Sequence, residues 1–352
     1  MSTVYVGTYS QRGSEGIYRL EWNPENESIH LQDVTPAGEN PSYLAIHPQK
    51  TTLYCVNEIM NHDGQLSGAV SAFRIEEDGH LRFLNRQPSL GGHPCHISVE
   101  PSGRMVMAAN YSGGSVTALP IHADGSLGKP CSHHKHPGSG PDPLRQEMAH
   151  AHSIYPSPSG KYAVTADLGI DKLIIYKIDP LHERLIPHGE ADSAPGSGPR
   201  QTAFHPNGKF LYVVNELDSS VTVFEWNEEN GAASAVQTCP TLPGSFSGTN
   251  YPAEIDIHPS GKFLFASNRG HDSIALYSIH SVNGTLFCEG HVSVEGRNPR
   301  QFNISPDGKY LFCANQDTDN ISFFKIEEDT GKLIHLPARI TIPCPICITF
   351  LS

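Results

Sequence analysis

Long apolar runs are missing from this chain. It holds no stretch of 18 apolar residues, and Met1 leads into strand-like residues without a basic segment followed by an apolar one. No membrane span and no secretory leader are therefore expected, and the expected location is cytoplasmic. Positive charge is also scarce: 24 Lys and Arg stand against 37 Asp and Glu, for a net charge of −13. Nucleic acid and acidic lipid are thereby disfavoured as partners, because phosphate backbones demand a basic face. A cationic cluster on such a chain must be local.

The eight cysteines (Cys55, Cys95, Cys131, Cys239, Cys288, Cys313, Cys344 and Cys347) are spread along the chain, several inside strand-like stretches. They read as small buried thiols in a reducing compartment, not as a disulfide framework. Cys344 and Cys347 have C-x-x-C spacing, but no second pair completes a zinc site and no helix follows to activate a thiol. The chain lacks G-x-S-x-G, H-E-x-x-H, G-x-x-x-x-G-K-[ST] and a strand-linked G-x-G-x-x-G, which disfavours a serine esterase, a zinc protease and a nucleotide enzyme. No cofactor and no metal are expected.

What the chain does have is 32 Gly and 28 Pro, a composition suited to short strands and tight turns. Gly198 to Trp226 reads as three strands, Thr202 to His205, Phe210 to Val214 and Val221 to Trp226, separated by Pro-Asn-Gly-Lys and Leu-Asp-Ser-Ser. The same sentence recurs around Pro48 (HPQKTTLYCVNE), Pro101 (EPSGRMVMAANY), Pro158 (SPSGKYAVTADL), Pro259 (HPSGKFLFASNR) and Pro306 (SPDGKYLFCANQ). A repeat of roughly 50 residues with four strands per unit predicts a β-propeller. A seventh copy is split: Thr3 to Tyr9 matches the second strand of a unit, and Cys344 to Phe350 the strand before the turn proline. The expectation is an all-β, seven-bladed propeller of four-stranded blades, one domain over 1–352, its ring closed by N- and C-terminal strands in one blade.

In such a ring the turns between the first and second strands and between the third and fourth share one face. Here these are short and nearly uniform, such as Pro-Ser-Gly-Lys, Glu77 to His80, Ala123 to Ser126 and Val282 to Thr285. Length varies on the opposite face, in Ile59 to Gly68, Pro137 to Ala149 and Pro240 to Tyr251, so the site is expected at that mouth of the central channel. Two columns of unlike residues stand there. One holds Ser42, Cys95, His152, Arg200, Ala253, Arg300 and Ile346, the other Tyr9, Glu58, Tyr111, Leu168, Glu216, Arg269 and Gln316. The column before the second (Thr8, Asn57, Asn110, Asp167, Asn215, Asn268, Asn315) is uniform and reads as structural, with short polar side chains bonding nearby backbone.

His152, Arg200, Glu216 and Arg269 fall on three consecutive blades and are the candidate catalytic residues. A carboxylate or imidazole can activate water, while guanidiniums hold an anionic group and stabilise charge developing on oxygen. The competing reading is a salt-bridged ring that tiles the pore. His133, His134 and His136 resemble a metal tract but read as a solvated strand edge lacking a carboxylate partner, and Asp167 to Lys172 as a loop stabilised by its own carboxylates.

HPCHISVEPSG, RQEMAHAHS, DLGIDK, GPRQTAFHP, VVNEL and NRGHDSIALY together make the chain, from Tyr5 to Phe350, resemble the seven-bladed lactonases. That family includes bacterial propeller-type 6-phosphogluconolactonases and fungal carboxymuconate-cyclising enzymes. The resemblance implies a metal-free site of one histidine, two arginines and a glutamate, matched here by His152, Arg200, Glu216 and Arg269. It implies hydrolysis of 6-phospho-D-glucono-1,5-lactone to 6-phosphogluconate, in the pentose phosphate pathway. Glu216 or His152 would deprotonate water, and Arg200 and Arg269 would bind the phosphate or the carbonyl oxyanion. Arg300, His96, Asn110, Tyr9 and Gln201 are the candidate substrate-binding residues, with His96, on an inner strand, read equally as a hydrogen-bonded core histidine. The expected partner is a small anionic sugar lactone, and a monomer or weak homodimer is expected. A carboxymuconate-type cycloisomerase and a non-catalytic interaction propeller are the alternatives.

Overall fold

The alternation within Phe210–Asn215 shows how the ring is made. In the computed structural model, which describes residues 1–351, Phe210, Tyr212 and Val214 pack toward the following blade while Leu211 and Val213 pack toward the preceding one. Successive strand side chains point to opposite faces, so a strand apolar at every position is buried on both. Each such aromatic or aliphatic side chain contributes roughly 1.5–3 kcal/mol by leaving water.

The repeat builds seven antiparallel sheets of at least four strands. Inner strands are Pro41–Ile46 (blade 1), Pro94–Val99 (blade 2), Ala151–Pro156 (blade 3), Pro199–Phe204 (blade 4), Tyr251–Ile257 (blade 5), Pro299–Ile304 (blade 6) and Pro345–Leu351 (blade 7), each packed on the next around the ring. Blade 7 pairs Pro345–Leu351 with Ser2–Thr8, so the two chain ends close the circle in one sheet, as the split seventh copy predicts. Each of the seven hydrophobic clusters joins two neighbouring blades, which makes the core a set of wedges between sheets.

Short polar latches repeat between blades on the face of uniform turns. The Tyr5, Tyr54 and Tyr212 hydroxyls donate to the carbonyls of Gly79, Gly125 and Gly284 at 2.6, 3.0 and 2.8 Å. His47, His205 and His258, each just before a turn proline, bond through Nε2 to the Gly103, Gly261 and Gly308 carbonyls at 3.0, 2.9 and 2.8 Å. Gly284 has φ +68 and a Cβ there would lie 2.5 Å from Phe210, so this turn takes only glycine without a shift.

Three expectations need correction. The inner strand of blade 4 starts at Pro199, three residues before Thr202, because a bulge interrupts its ladder. Cys131 and Cys288 are exposed and Cys239 is partly so, since they lie in or beside outer strands; all eight thiols are free. His136 is not on a solvated edge: it is buried, with Nδ1 2.5 Å from the Asp167 carboxylate and Nε2 2.7 Å from the Tyr176 hydroxyl. That carboxylate also accepts from the His150 and Gly169 amides, so Asp167 ties three segments together.

Candidate active site

Every inner strand carries the same irregularity at the same place. Its ladder to the second strand slips between Pro41 and Tyr43, Pro94 and His96, Ala151 and Ser153, Pro199 and Gln201, Pro252 and Ile255, Pro299 and Gln301, and opposite Gly7 and Thr8. The residues left out of the ladder are Ser42, Cys95, His152, Arg200, Ala253, Arg300 and Ile346, the first column of unlike residues, together with Glu254 in blade 5. A bulge frees one residue from pairing and re-aims its side chain. Here it turns seven side chains toward the axis, and six of them line a chamber of about 10 Å³. That is the space of about one water molecule. Tyr43, Gln201, Glu254 and Gln301 line the same chamber one residue further along their strands, and Glu58 lines it from the mouth.

Glu216 is the hub of the mouth. Its Oε2 accepts from Arg200 Nε at 2.8 Å and from Arg269 Nη2 at 2.7 Å, and its Oε1 accepts from Arg145. Burial alone would raise this carboxyl, yet Arg269 and Arg200, with Arg145, hold it well below the usual carboxylate range. Arg200 also donates to the Ala253 carbonyl, and Arg269 to the Tyr251 carbonyl at 2.9 Å. Burial pushes the Arg269 guanidinium down to about 10, with Glu216 opposing, so it stays charged at neutral pH. Burial, reinforced by Arg200, holds His152 well below the ordinary histidine value, so its imidazole is neutral. Its Nδ1 lies 3.8 Å from Cys95 Sγ, and Tyr111 meets its ring edge-on.

On the opposite side of the mouth, Arg300 lies 5.2 Å over the Tyr9 ring and donates to its hydroxyl at 2.7 Å. That hydroxyl in turn donates to Glu58 at 3.0 Å.

The structure therefore brings together His152, Arg200, Glu216 and Arg269, with Arg300, Tyr9 and Gln201 around the same opening. Two candidates do not reach it. His96 is fully buried between the Tyr43 and Tyr155 rings, its Nδ1 accepting from the Ile154 amide at 3.2 Å, and burial pushes it down to about 3. Asn110 is also fully buried and donates to the Ser89 carbonyl, Ser115 and Thr117, which fastens the loop between blades instead of facing ligand. Asn57, Asn268 and Asn315 do the same for their own blades.

Four polar residues of the site were not singled out by the sequence: Tyr43 and Gln301 in the chamber wall, Arg145 and Glu254. Arg145 sits on the loop from blade 2 to blade 3 and has no counterpart in the repeat. Glu254 stands in the column of Gln201 and His96, which was the signal available for it. Burial pushes its carboxyl up to about 8, with Arg200 opposing, so it is mostly protonated at neutral pH. Among the described residues no three His, Cys, Asp or Glu side chains gather as ligands for an ion.

The profile of a lactonase with a 7-bladed β-propeller matches residues 3–350. A Bacillus subtilis protein named 6-phosphogluconolactonase is 38% identical over 348 residues, which is 99% of this chain and 97% of that protein. The solved structure of a periplasmic gluconolactonase from Pseudomonas aeruginosa superposes with a TM-score of 0.93 at 33% identity, covering 100% of this chain and 99% of the other. A protein from Lactobacillus plantarum superposes with a TM-score of 0.93 at 29% identity over the full length of both.

Proposed function

This chain belongs to the seven-bladed β-propeller lactonase family, and from that premise and the chemistry of its mouth we propose how it opens 6-phospho-D-glucono-1,5-lactone to 6-phosphogluconate. It is a lactone hydrolase, and that product places it in the pentose phosphate pathway. The observation that carries the mechanism is the pairing of a neutral imidazole with guanidiniums around one water-sized chamber.

His152, not Glu216, acts as the general base. A carboxylate held by three guanidiniums is a poor proton acceptor, whereas a neutral imidazole facing the chamber is ready to accept one. The water oxygen bonds to the lactone carbonyl carbon as His152 takes its proton. The tetrahedral oxyanion rests on Arg200 and Arg300, which are already in place and need no reorganisation. The bond to the ring oxygen then breaks, that oxygen takes the proton back from His152 to become a hydroxyl, and the product carboxylic acid releases a proton. No metal takes part in this scheme, because both Glu216 oxygens already serve guanidiniums. Arg269 holds substrate oxygens at the rim, with Gln201 in the chamber below and Tyr9 across the mouth against Arg300. Among the described residues no helix is long and apolar enough to cross a membrane. A cytoplasmic location, in keeping with the eight free thiols, and a monomer or weak homodimer belong to the same proposal.

The test follows opening of the phosphorylated lactone by NMR against its spontaneous rate, with and without a chelator. The expected result is acceleration that the chelator leaves intact and that His152→Gln removes. Acceleration that survives His152→Gln overturns the assignment of the base, and turnover of carboxymuconate with none of the lactone overturns the substrate.

A further inference from the structure

We infer that Arg145 is the residue by which this site selects a phosphorylated lactone over a plain one, an inference that rests on the lactonase reading above. The space available comes first. The axial chamber holds about 10 Å³ and cannot take a sugar phosphate, so most of the substrate must lie at the rim. A separate open groove of about 560 Å³ lies on the blade 5 side of the mouth, lined by Tyr251, Arg269, Asp272, Arg297 and Asp317 among others. Arg145 links the two: its guanidinium lies 5.5 Å over the ring of Tyr251, which lines the groove, and bonds Glu216, which in turn holds Arg200 of the chamber.

Charge points the same way. Around the opening, Arg145, Arg200, Arg269 and Arg300 face the carboxylates Glu216 and Glu58, while burial keeps Glu254 mostly protonated. Four guanidiniums against two carboxylates leave an excess of two positive charges, on a chain whose net charge is −13. A phosphate monoester carries close to two negative charges at neutral pH.

Among these arginines Arg145 differs in its support. Arg200, Arg269 and Arg300 project from strands, whereas Arg145 comes from a loop and keeps about a third of its side chain exposed. The loop is nonetheless built to hold it. Asp142 Oδ1 accepts from the Arg145 amide at 3.1 Å, and the neighbouring Gln146, fully buried, donates to the Leu168 carbonyl and to Asp171 at 2.8 and 2.7 Å. Asp171 also receives the Gly196 and Gly198 amides, which fastens the loop to the entry of blade 4. Arg145 is thus a preorganised fork on the side of the mouth where the groove opens. An arriving phosphate takes it from Glu216, whose Oε2 keeps Arg200 and Arg269 and so keeps the deeper part of the site in place.

The experiment compares kcat/KM on 6-phosphogluconolactone and on glucono-1,5-lactone for the wild type, Arg145→Ala and Arg145→Lys, with folding checked by thermal melts. In the wild type the phosphorylated lactone is the better substrate. In Arg145→Ala the ratio falls by about tenfold or more, chiefly through KM, the scale of one charge-assisted bond. Arg145→Lys restores part of it, because the charge remains and the fork is lost. The rise in melting temperature given by inorganic phosphate shrinks in Arg145→Ala. Equal losses on both lactones, or an undiminished phosphate shift, overturn the inference. A wild type that opens neither lactone defeats the lactonase reading instead, and the phosphate melts still decide whether Arg145 binds the anion.

Discussion

Glu58 and Glu216 hold the same place in their repeats, each directly after the asparagine that ends a second strand, yet they live in different chemistry. Glu216 receives three guanidiniums directly, while Glu58 reaches Arg300 only through the Tyr9 hydroxyl. Part of the difference lies in the bulge residue of each blade, and the rest in Arg269 from blade 5 and Arg145 from the loop between blades 2 and 3. Blade 4 puts Arg200 beside its glutamate, and blade 1 puts Ser42 beside its own. The repeat decides where a side chain stands, and its neighbours decide what it can do.

The strongest way to break this comparison is to neutralise each carboxylate in turn. Glu216→Gln leaves three guanidiniums crowded without a counter-charge. It is expected to cost about 3–5 kcal/mol of folding stability by denaturant titration and to reduce lactone opening to near its spontaneous rate. Glu58→Gln is expected to cost about 1 kcal/mol or less. Equal losses would mean that the two sectors are equivalent after all.

Replacing the base sharpens it next. His152→Gln should lower kcat by about 10² to 10⁴ with the fold intact by circular dichroism. The pH profile has a definite sign. Burial and Arg200 keep the imidazole neutral, so the reactive form persists as pH falls and is lost only below the depressed value. Background-corrected rates should stay flat from pH 8 down through about 6.5, where an unperturbed histidine would be half protonated; a midpoint there would remove His152 from this role. The unfolded chain binds this proton more readily than the folded one, so the same group makes stability fall as pH drops below about 6.5.

Glu254 works in the opposite sense. Its carboxyl is pushed up to about 8, so the folded protein keeps a proton that the unfolded chain releases near its ordinary value. Stability therefore falls as pH rises between about 4.3 and 8. Glu254→Gln should remove that slope, gaining on the wild type by roughly 3 kcal/mol between pH 5 and pH 8. Denaturant midpoints at the two pH values measure it, and parallel curves would show that the carboxyl is not protonated in the fold.

The ring and its two columns were legible because each blade repeats its strand pattern, and Arg200, Glu216 and Arg269 could be brought together by counting blades. The seven bulges were not legible, since a one-residue slip in pairing leaves no mark in the repeat length. For the same reason His96 looked like a mouth residue although its ring turns into the wall between two tyrosines. Asn110 was read twice, as one of a uniform structural column and as a ligand contact, and only its hydrogen bonds decide between them. Arg145 opens the RQEMAHAHS motif that carries the resemblance, but its loop belongs to no repeated column, so nothing in the repeat placed it at the mouth.

The gentlest test separates the two sectors by their wiring. Tyr9 Oη accepts from Arg300 and donates to Glu58, so Tyr9→Phe removes the relay and keeps the ring under the guanidinium. If Arg300 is held mainly by that relay, the loss should be about 1 kcal/mol, and adding Glu58→Gln should cost less in the double variant than alone. A coupling of about 0.5 kcal/mol or more in that cycle would show one connected unit. The same cycle between Tyr9→Phe and Glu216→Gln should give close to zero, because no hydrogen bond links the two networks. Strong coupling there would mean that the mouth responds as one ring of charge, with Glu58 and Glu216 no longer separable.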